Sequence, residues 1–259
     1  MESSDHPSGS IHFTLAGIPT TIYPSSWLVL LLLGCSGSQG YDVAKELMPV
    51  LSFIAAGMLC LLVHEYGHAL SCRALGGRAS EIIIASIGGA TRIGQAPRTR
   101  VGRLLMSLAG PCASILLGVL GGLIFGWQVG DLQAGVMFAI VEPFAGIAPA
   151  LRQYVGDSYI PIVQALQSGS MSMSLFMLYG SLFFVSMWWS AINLLPILPL
   201  DGAQALCQIT RNRRFVCLVG FGLAALLCLL CLVRLNIFNA IICAYLTHIN
   251  LQQLRNTER

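Results

Sequence analysis

The apolar run over residues 51–70 is long enough to cross a bilayer, which takes about 20 residues, yet His64, Glu65 and His68 stand in its second half. Ionisable groups at membrane depth are costly and mark function by default. The spacing specifies the chemistry. His64 and His68 are four apart, so on a helix they project about 40° from each other on one face. Glu65 falls within about 100° of both, so all three side chains can look into one cavity. In the H-E-x-x-H arrangement two imidazoles bind zinc and the glutamate works on a zinc-activated water. A plainer reading keeps the three as a hydrogen-bonded polar cluster that fixes helix packing.

The rest of the chain is equally apolar. Of 259 residues, 56% are hydrophobic and 10% charged, against about 25% charged in a soluble domain. A mean hydropathy of +0.76 excludes a soluble peptidase of the zincin type. A net charge of +3 is too small to argue for nucleic acid as a partner. The nine cysteines lie mostly in apolar runs and read as small buried hydrophobes. Cys228 and Cys231 have C-x-x-C spacing without a second pair, and no metal site is assigned to them.

Apolar runs predict helices near residues 25–36, 50–72, 101–126, 172–198, 214–233 and 236–252. The expected fold is an all-α polytopic membrane protein with about six transmembrane helices, residues 1–259 forming one domain in the bilayer. A seventh apolar stretch, 132–150, carries Glu142, Pro143, Gly146 and Pro149. Arginines decide its place. Arg73, Arg78, Arg92, Arg98 and Arg100 follow the second helix, and Arg211, Arg213 and Arg214 precede the fifth. Both loops belong in the cytoplasm under the positive-inside rule, so an even number of crossings separates them. Residues 127–171 are then exterior, with 132–150 re-entrant or lying on the surface, and both termini are cytoplasmic.

Two segments read as β. Residues 1–24 contain alternating stretches at 11–15 and 20–23, consistent with a strand or an interfacial segment. In the loop 77–95, two β-prone runs flank Gly88-Gly89 and predict a membrane-associated hairpin. Its 81–93 edge could hold an extended peptide by strand addition, or the hairpin could be purely interfacial. Gly118, Gly122 and Gly126 place small residues at four-residue spacing, either a wall against the active-site helix or ordinary helix packing.

A catalytic zinc usually takes three protein ligands. Asp201, Glu142, Asp157, Glu81 and His248 are the candidates. Glu142 and Asp157 fall on the exterior side, away from the histidines. Asp201 follows Pro196 and Pro199, which break the helix, on the cytoplasmic side where His64 and His68 lie. Non-helical backbone at membrane depth is tolerated inside protein or along a watery cavity, and Asp201 in such a segment completes a site for one Zn²⁺.

His64-Glu65-x-x-His68 together with Asn193-x-x-Pro196-x-x-Pro199-x-Asp201-Gly202 resembles the site-2 protease family of intramembrane zinc metalloproteases. Gly17-Ile-Pro-x-x-Ile-x-Pro24, Gly88-Gly89-Ala-x-x-Ile93 and Ala109-Gly110-Pro111-x-x-Ser114 are similar as well. The likeness covers roughly residues 15–205, in a compact form without PDZ or CBS domains. Tyr23 stands where many relatives carry His. The resemblance implies His64, His68 and Asp201 as zinc ligands, Glu65 as the catalytic glutamate, and Asn193 as an amide beside the oxyanion. It implies hydrolysis of a membrane-anchored protein or peptide near its transmembrane segment, releasing a cytoplasmic fragment or clearing signal-peptide remnants. The alternative class is a zinc transporter or a non-catalytic zinc-dependent scaffold. A homo-oligomer or a regulatory membrane partner stays open.

Overall fold

Hydrocarbon offers no water to backbone N–H and C=O groups, so apolar segments close their hydrogen bonds as helices. In the computed structural model, which describes residues 7–36, 43–86, 88–145, 148–154 and 156–257, four helices are long and apolar enough to cross a membrane: Leu47–Ala74, Arg100–Val129, Met173–Asn193 and Arg213–Val233. They belong to α2 (Val43–Ala74), α3 (Arg100–Val129), α6 (Met173–Asn193) and α8 (Arg213–Val233). Around them stand α1 (Pro24–Ser36), α4 (Leu132–Val141), α5 (Tyr159–Gln167), α7 (Asp201–Thr210) and α9 (Ile237–Thr257). The chain is thus helical and polytopic, as its apolar runs predict. α9 has 21 residues, but Asn239, His248, Asn250, Gln252 and Gln253 make it more polar than the four spans. The expected helix over 172–198 stops at Asn193, ahead of Pro196 and Pro199, and α7 opens directly at Asp201. The first six and last two residues, whose cytoplasmic side the sequence predicts, lie outside the described residues.

α4 has ten residues and rises about 15 Å, half the hydrocarbon depth, so it is not a span. It lies against α3 where Gly122 and Gly126 leave no room for side chains. A Cβ on Gly122 would sit 2.8 Å from Ala139 Cβ, and one on Gly126 would sit 2.7 Å from the Asp131 carbonyl. Gly118 faces Ser186 and Met187 of α6. The small-residue stripe is therefore packing surface for α4 and α6, not a wall against α2. Phe125, Phe138 and Phe183 form an apolar cluster between these helices.

Four strands form one sheet in the order β1-β2-β3-β4: β1 (Ile11–Leu15), β2 (Ile18–Ile22), β3 (Arg78–Ala85) and β4 (Gly88–Gln95). The two predicted β segments are thus one sheet. β2 and β3 pair in parallel, with Thr20 opposite Ile82 and Ile22 opposite Ile84. Parallel strands need a crossover, and α1 with α2 supplies it. The sheet packs its buried Ile18, Ile22, Ile82 and Ile84 against Leu61, Tyr66 and Ala69 of α2. Tyr66 Oη and Thr20 Oγ1 lie 2.6 Å apart, and the Arg73 guanidinium donates to the carbonyls of Ala16 (2.7 Å) and Gly17 (2.8 Å). The sheet is thereby fixed to the helix that bears the histidines.

The two arginine-rich loops meet. Arg103 Nε donates to Gln208 Oε1 at 3.0 Å, one turn before Arg211. The same guanidinium donates to the carbonyls of Pro97 (3.1 Å) and Arg98 (3.0 Å). Both loops therefore sit at one end of the helix bundle.

Candidate active site

His64, Glu65 and His68 lie on consecutive turns of α2, all facing inward; His64 is 2% and Glu65 5% exposed. Asp201 is the first residue of α7, where a helix N-terminus favours negative charge. The fold brings it against the histidines. His64 Nε2 is 3.1 Å from Asp201 Oδ2, His68 Nε2 is 3.3 Å from the same oxygen, and the two Nε2 atoms are 3.2 Å apart. Three potential ligand atoms thus form a nearly equilateral triangle.

The outer nitrogens show what the inner ones carry. His68 Nδ1 lies 2.7 Å from the Met106 carbonyl, which accepts from a protonated Nδ1. His64 Nδ1 lies 3.2 Å from Ser114 Oγ. The carbonyl sets the His68 tautomer that leaves a lone pair on Nε2, and the Ser114 hydroxyl is able to accept from His64 Nδ1 in the same way. Two lone pairs and a carboxylate oxygen this close repel each other unless a cation lies among them. The size also fits. Zinc bonds of about 2.0–2.1 Å at the tetrahedral angle separate neighbouring ligand atoms by about 3.3–3.4 Å. The residues present therefore fit a divalent metal. Among the described residues this is the only group of three or more His, Cys, Asp or Glu close enough to share one.

Glu65 is held by β4. The Thr91 hydroxyl lies 2.7 Å from Glu65 Oε2 and 3.1 Å from its backbone carbonyl. A Cβ on Gly89 would lie 2.5 Å from Glu65 Oε1, so only glycine lets the strand pass this close. Gly110 does the same for the metal face: a Cβ there would lie 2.2 Å from His68 Nε2.

The other candidates go elsewhere. Glu81 pairs with Arg92 at 3.2 Å, Glu142 accepts from Tyr159 Oη, and His248 lies 2.8 Å from Gln252 Nε2. Asp157 lies in a short turn before α5. Asn193 ends α6 and donates one amide hydrogen to the Trp189 carbonyl at 2.9 Å. Sequence reasoning missed Thr91, to which it gave no role. It also missed the orienting partners of the two imidazoles, Ser114 Oγ and the Met106 carbonyl.

Fold and site together define a polytopic membrane protein with a buried candidate metal centre shared by a spanning helix and a short helix. The chain belongs to peptidase family M50, a metalloprotease family, whose model matches residues 52–233. This bears out the resemblance to site-2 proteases. The fold is similar to that of the site-2 protease from Methanocaldococcus jannaschii, at 18% identity, with 95% of each chain covered and a TM-score of 0.55. The chain has no match among curated proteins.

Proposed function

We propose that this metalloprotease is an intramembrane zinc endopeptidase, with His64, His68 and Asp201 holding one Zn²⁺ and Glu65 as general base and acid. The observation that carries the reading is the triangle of 3.1–3.3 Å among the two Nε2 atoms and Asp201 Oδ2, with the Glu65 carboxylate one residue away. Zinc bound there would polarise a scissile carbonyl and acidify a water. Glu65 takes the water proton on a carboxylate oxygen and passes it to the leaving nitrogen. Thr91 fixes the rotamer from which it does so. The Met106 carbonyl and Ser114 hold the imidazoles in register. The second amide hydrogen of Asn193 is offered to the oxyanion.

A helical substrate presents no free carbonyl, so the peptide must be extended when cut. Among the described residues β4 is an edge strand beside Glu65, and the side left unpaired there can add the peptide as a further strand. Both arginine-rich loops are assigned to the cytoplasm, which puts the site near that face. The substrate is then a membrane-anchored protein whose cytoplasmic fragment is released, or a signal-peptide remnant. Nothing favours transport. A pathway would need polar groups from side to side, whereas α3 passes from Gly110 to the Phe125 aromatic cluster in about 22 Å.

The test is Glu65→Gln. The full-length variant, purified in detergent, is expected to keep zinc at wild-type stoichiometry and to lose cleavage of a membrane-anchored reporter by at least about a hundredfold. Wild-type turnover in Glu65→Gln, or a wild type that takes up no zinc, ends the proposal.

A further inference from the structure

The backbone that carries Asp201 to the histidines is not helical between residues 194 and 200, and in a membrane protein each of its N–H groups needs a partner. The Leu194 N–H donates to Ser190 (3.0 Å), Leu195 to Ile192 (3.0 Å), Ile197 to Leu195 (2.8 Å) and Leu200 to Ile197 (2.8 Å). Pro196 and Pro199 have no N–H. The remaining one, on Leu198, leaves the segment and donates to Asn250 Oδ1 of α9 at 3.2 Å. Asn250 Nδ2 in turn donates to the Leu198 carbonyl at 2.9 Å and to the Leu246 carbonyl at 2.8 Å. Both groups of Leu198 are thus held by one side chain, as a neighbouring strand would hold them. Both amide hydrogens of Asn250 are used, and the residue is fully buried.

α8 closes the arrangement from a third side. A Cβ on Gly220 would lie 2.3 Å from Asn250 Oδ1 and 3.0 Å from the Pro196 carbonyl, so the clamp fits only because Gly220 has no side chain. Asp201 follows Leu198 by three residues, and its Oδ2 has to stay within about 0.5 Å of its place for a metal site to hold.

We infer that Asn250 is a positioning residue for the metal ligand: through Leu198 it fixes the segment that presents Asp201 to His64 and His68. The inference rests on the metalloprotease reading of the site and extends it to α9, which lies beyond the residues 52–233 matched by the family. A helix outside the ligand set thus takes part in holding the metal.

The test measures zinc affinity of metal-stripped, full-length protein in detergent by competition with a chromophoric chelator. The unfolding temperature of the metal-free form is measured alongside. Asn250→Leu removes both bonds to Leu198. Gly220→Ala displaces the same amide without deleting it, and it decides the matter if Asn250→Leu does not fold. Leu246→Ala alters α9 packing one turn away and leaves the clamp in place. Both clamp variants are expected to weaken zinc by about 10–100-fold, the usual effect of losing an outer partner of a ligand. Leu246→Ala is expected to lower the unfolding temperature at unchanged zinc affinity. Zinc affinity in both clamp variants within about threefold of wild type, or an equal loss in Leu246→Ala, overturns the role. Failure of the underlying reading looks different: the wild type binds no zinc, or Asp201→Ala binds it as tightly as the wild type. The clamp's role then falls with it.

Discussion

Gly110 and Gly89 guard different parts of the site, so their substitution should separate metal binding from catalysis. A methyl at Gly110 would stand 2.2 Å from His68 Nε2 and must push the imidazole off the shared position. Gly110→Ala is expected to lower zinc affinity by at least about tenfold, as measured by chelator competition. A methyl at Gly89 would stand 2.4 Å from Glu65 Cγ and displaces the base instead. Gly89→Ala is expected to retain zinc and lose about a hundredfold in kcat, the effect of a misplacement near 1 Å. Thr91→Val removes the hydroxyl from Glu65 Oε2. A hydrogen bond to a charged group is worth about 1.5–3 kcal/mol, so kcat should fall by about ten- to a hundredfold while zinc stoichiometry holds. The histidine pair was legible in the sequence because residues four apart share a helical face whatever the tertiary fold. Asp201 was legible because the prolines at 196 and 199 break the helix and the arginines fix its side. Thr91, Ser114 and Asn250 were not. Each is an ordinary polar residue until a strand or helix from elsewhere in the chain turns it toward its partner.

At the scale of elements, α7 and the sheet departed most from the apolar pattern. α7 has ten residues, below the length at which a helix stands without tertiary support, and it forms against α3. The parallel pairing of β2 with β3 joins residues about 60 positions apart, for which no local signal exists. This pairing also decides where strand addition can be probed. β3 lies between β2 and β4, so a proline at Ile83 or Ile84 would disrupt the sheet rather than a substrate edge. The free edge beside Glu65 belongs to β4. The contact of α3 with α4 offers a separate control. A Cβ on Gly135 would lie 2.3 Å from the Gly122 carbonyl. Gly135→Val should therefore cost about 1–3 kcal/mol of stability by overpacking. It is expected to lower the unfolding temperature in detergent and leave the zinc affinity of the folded fraction unchanged.

For the whole molecule, the meeting of Arg103 with Gln208 puts the two basic loops at one end of the bundle. Single cysteines at Arg98 and Arg211, in a background without the native thiols, should react with an impermeant maleimide from the same side of sealed vesicles. A cysteine at Asp157 should react from the other side; labelling of all three from one side would overturn the assignment of α3 and α6 as the two crossings between the basic loops. The assembled site also has a timetable. His64 and Asp201 are 137 residues apart, and synthesis at about 5–20 residues per second separates their emergence by about 7–27 s. During that interval the nascent chain holds the glutamate and two imidazoles of a hydrolase without the carboxylate that completes it. α9, with the amide that steadies that carboxylate, emerges later still. On the proposed ligand set the enzyme is born disarmed, and the insertion machinery around it meets an assembled centre only once residue 201 has followed.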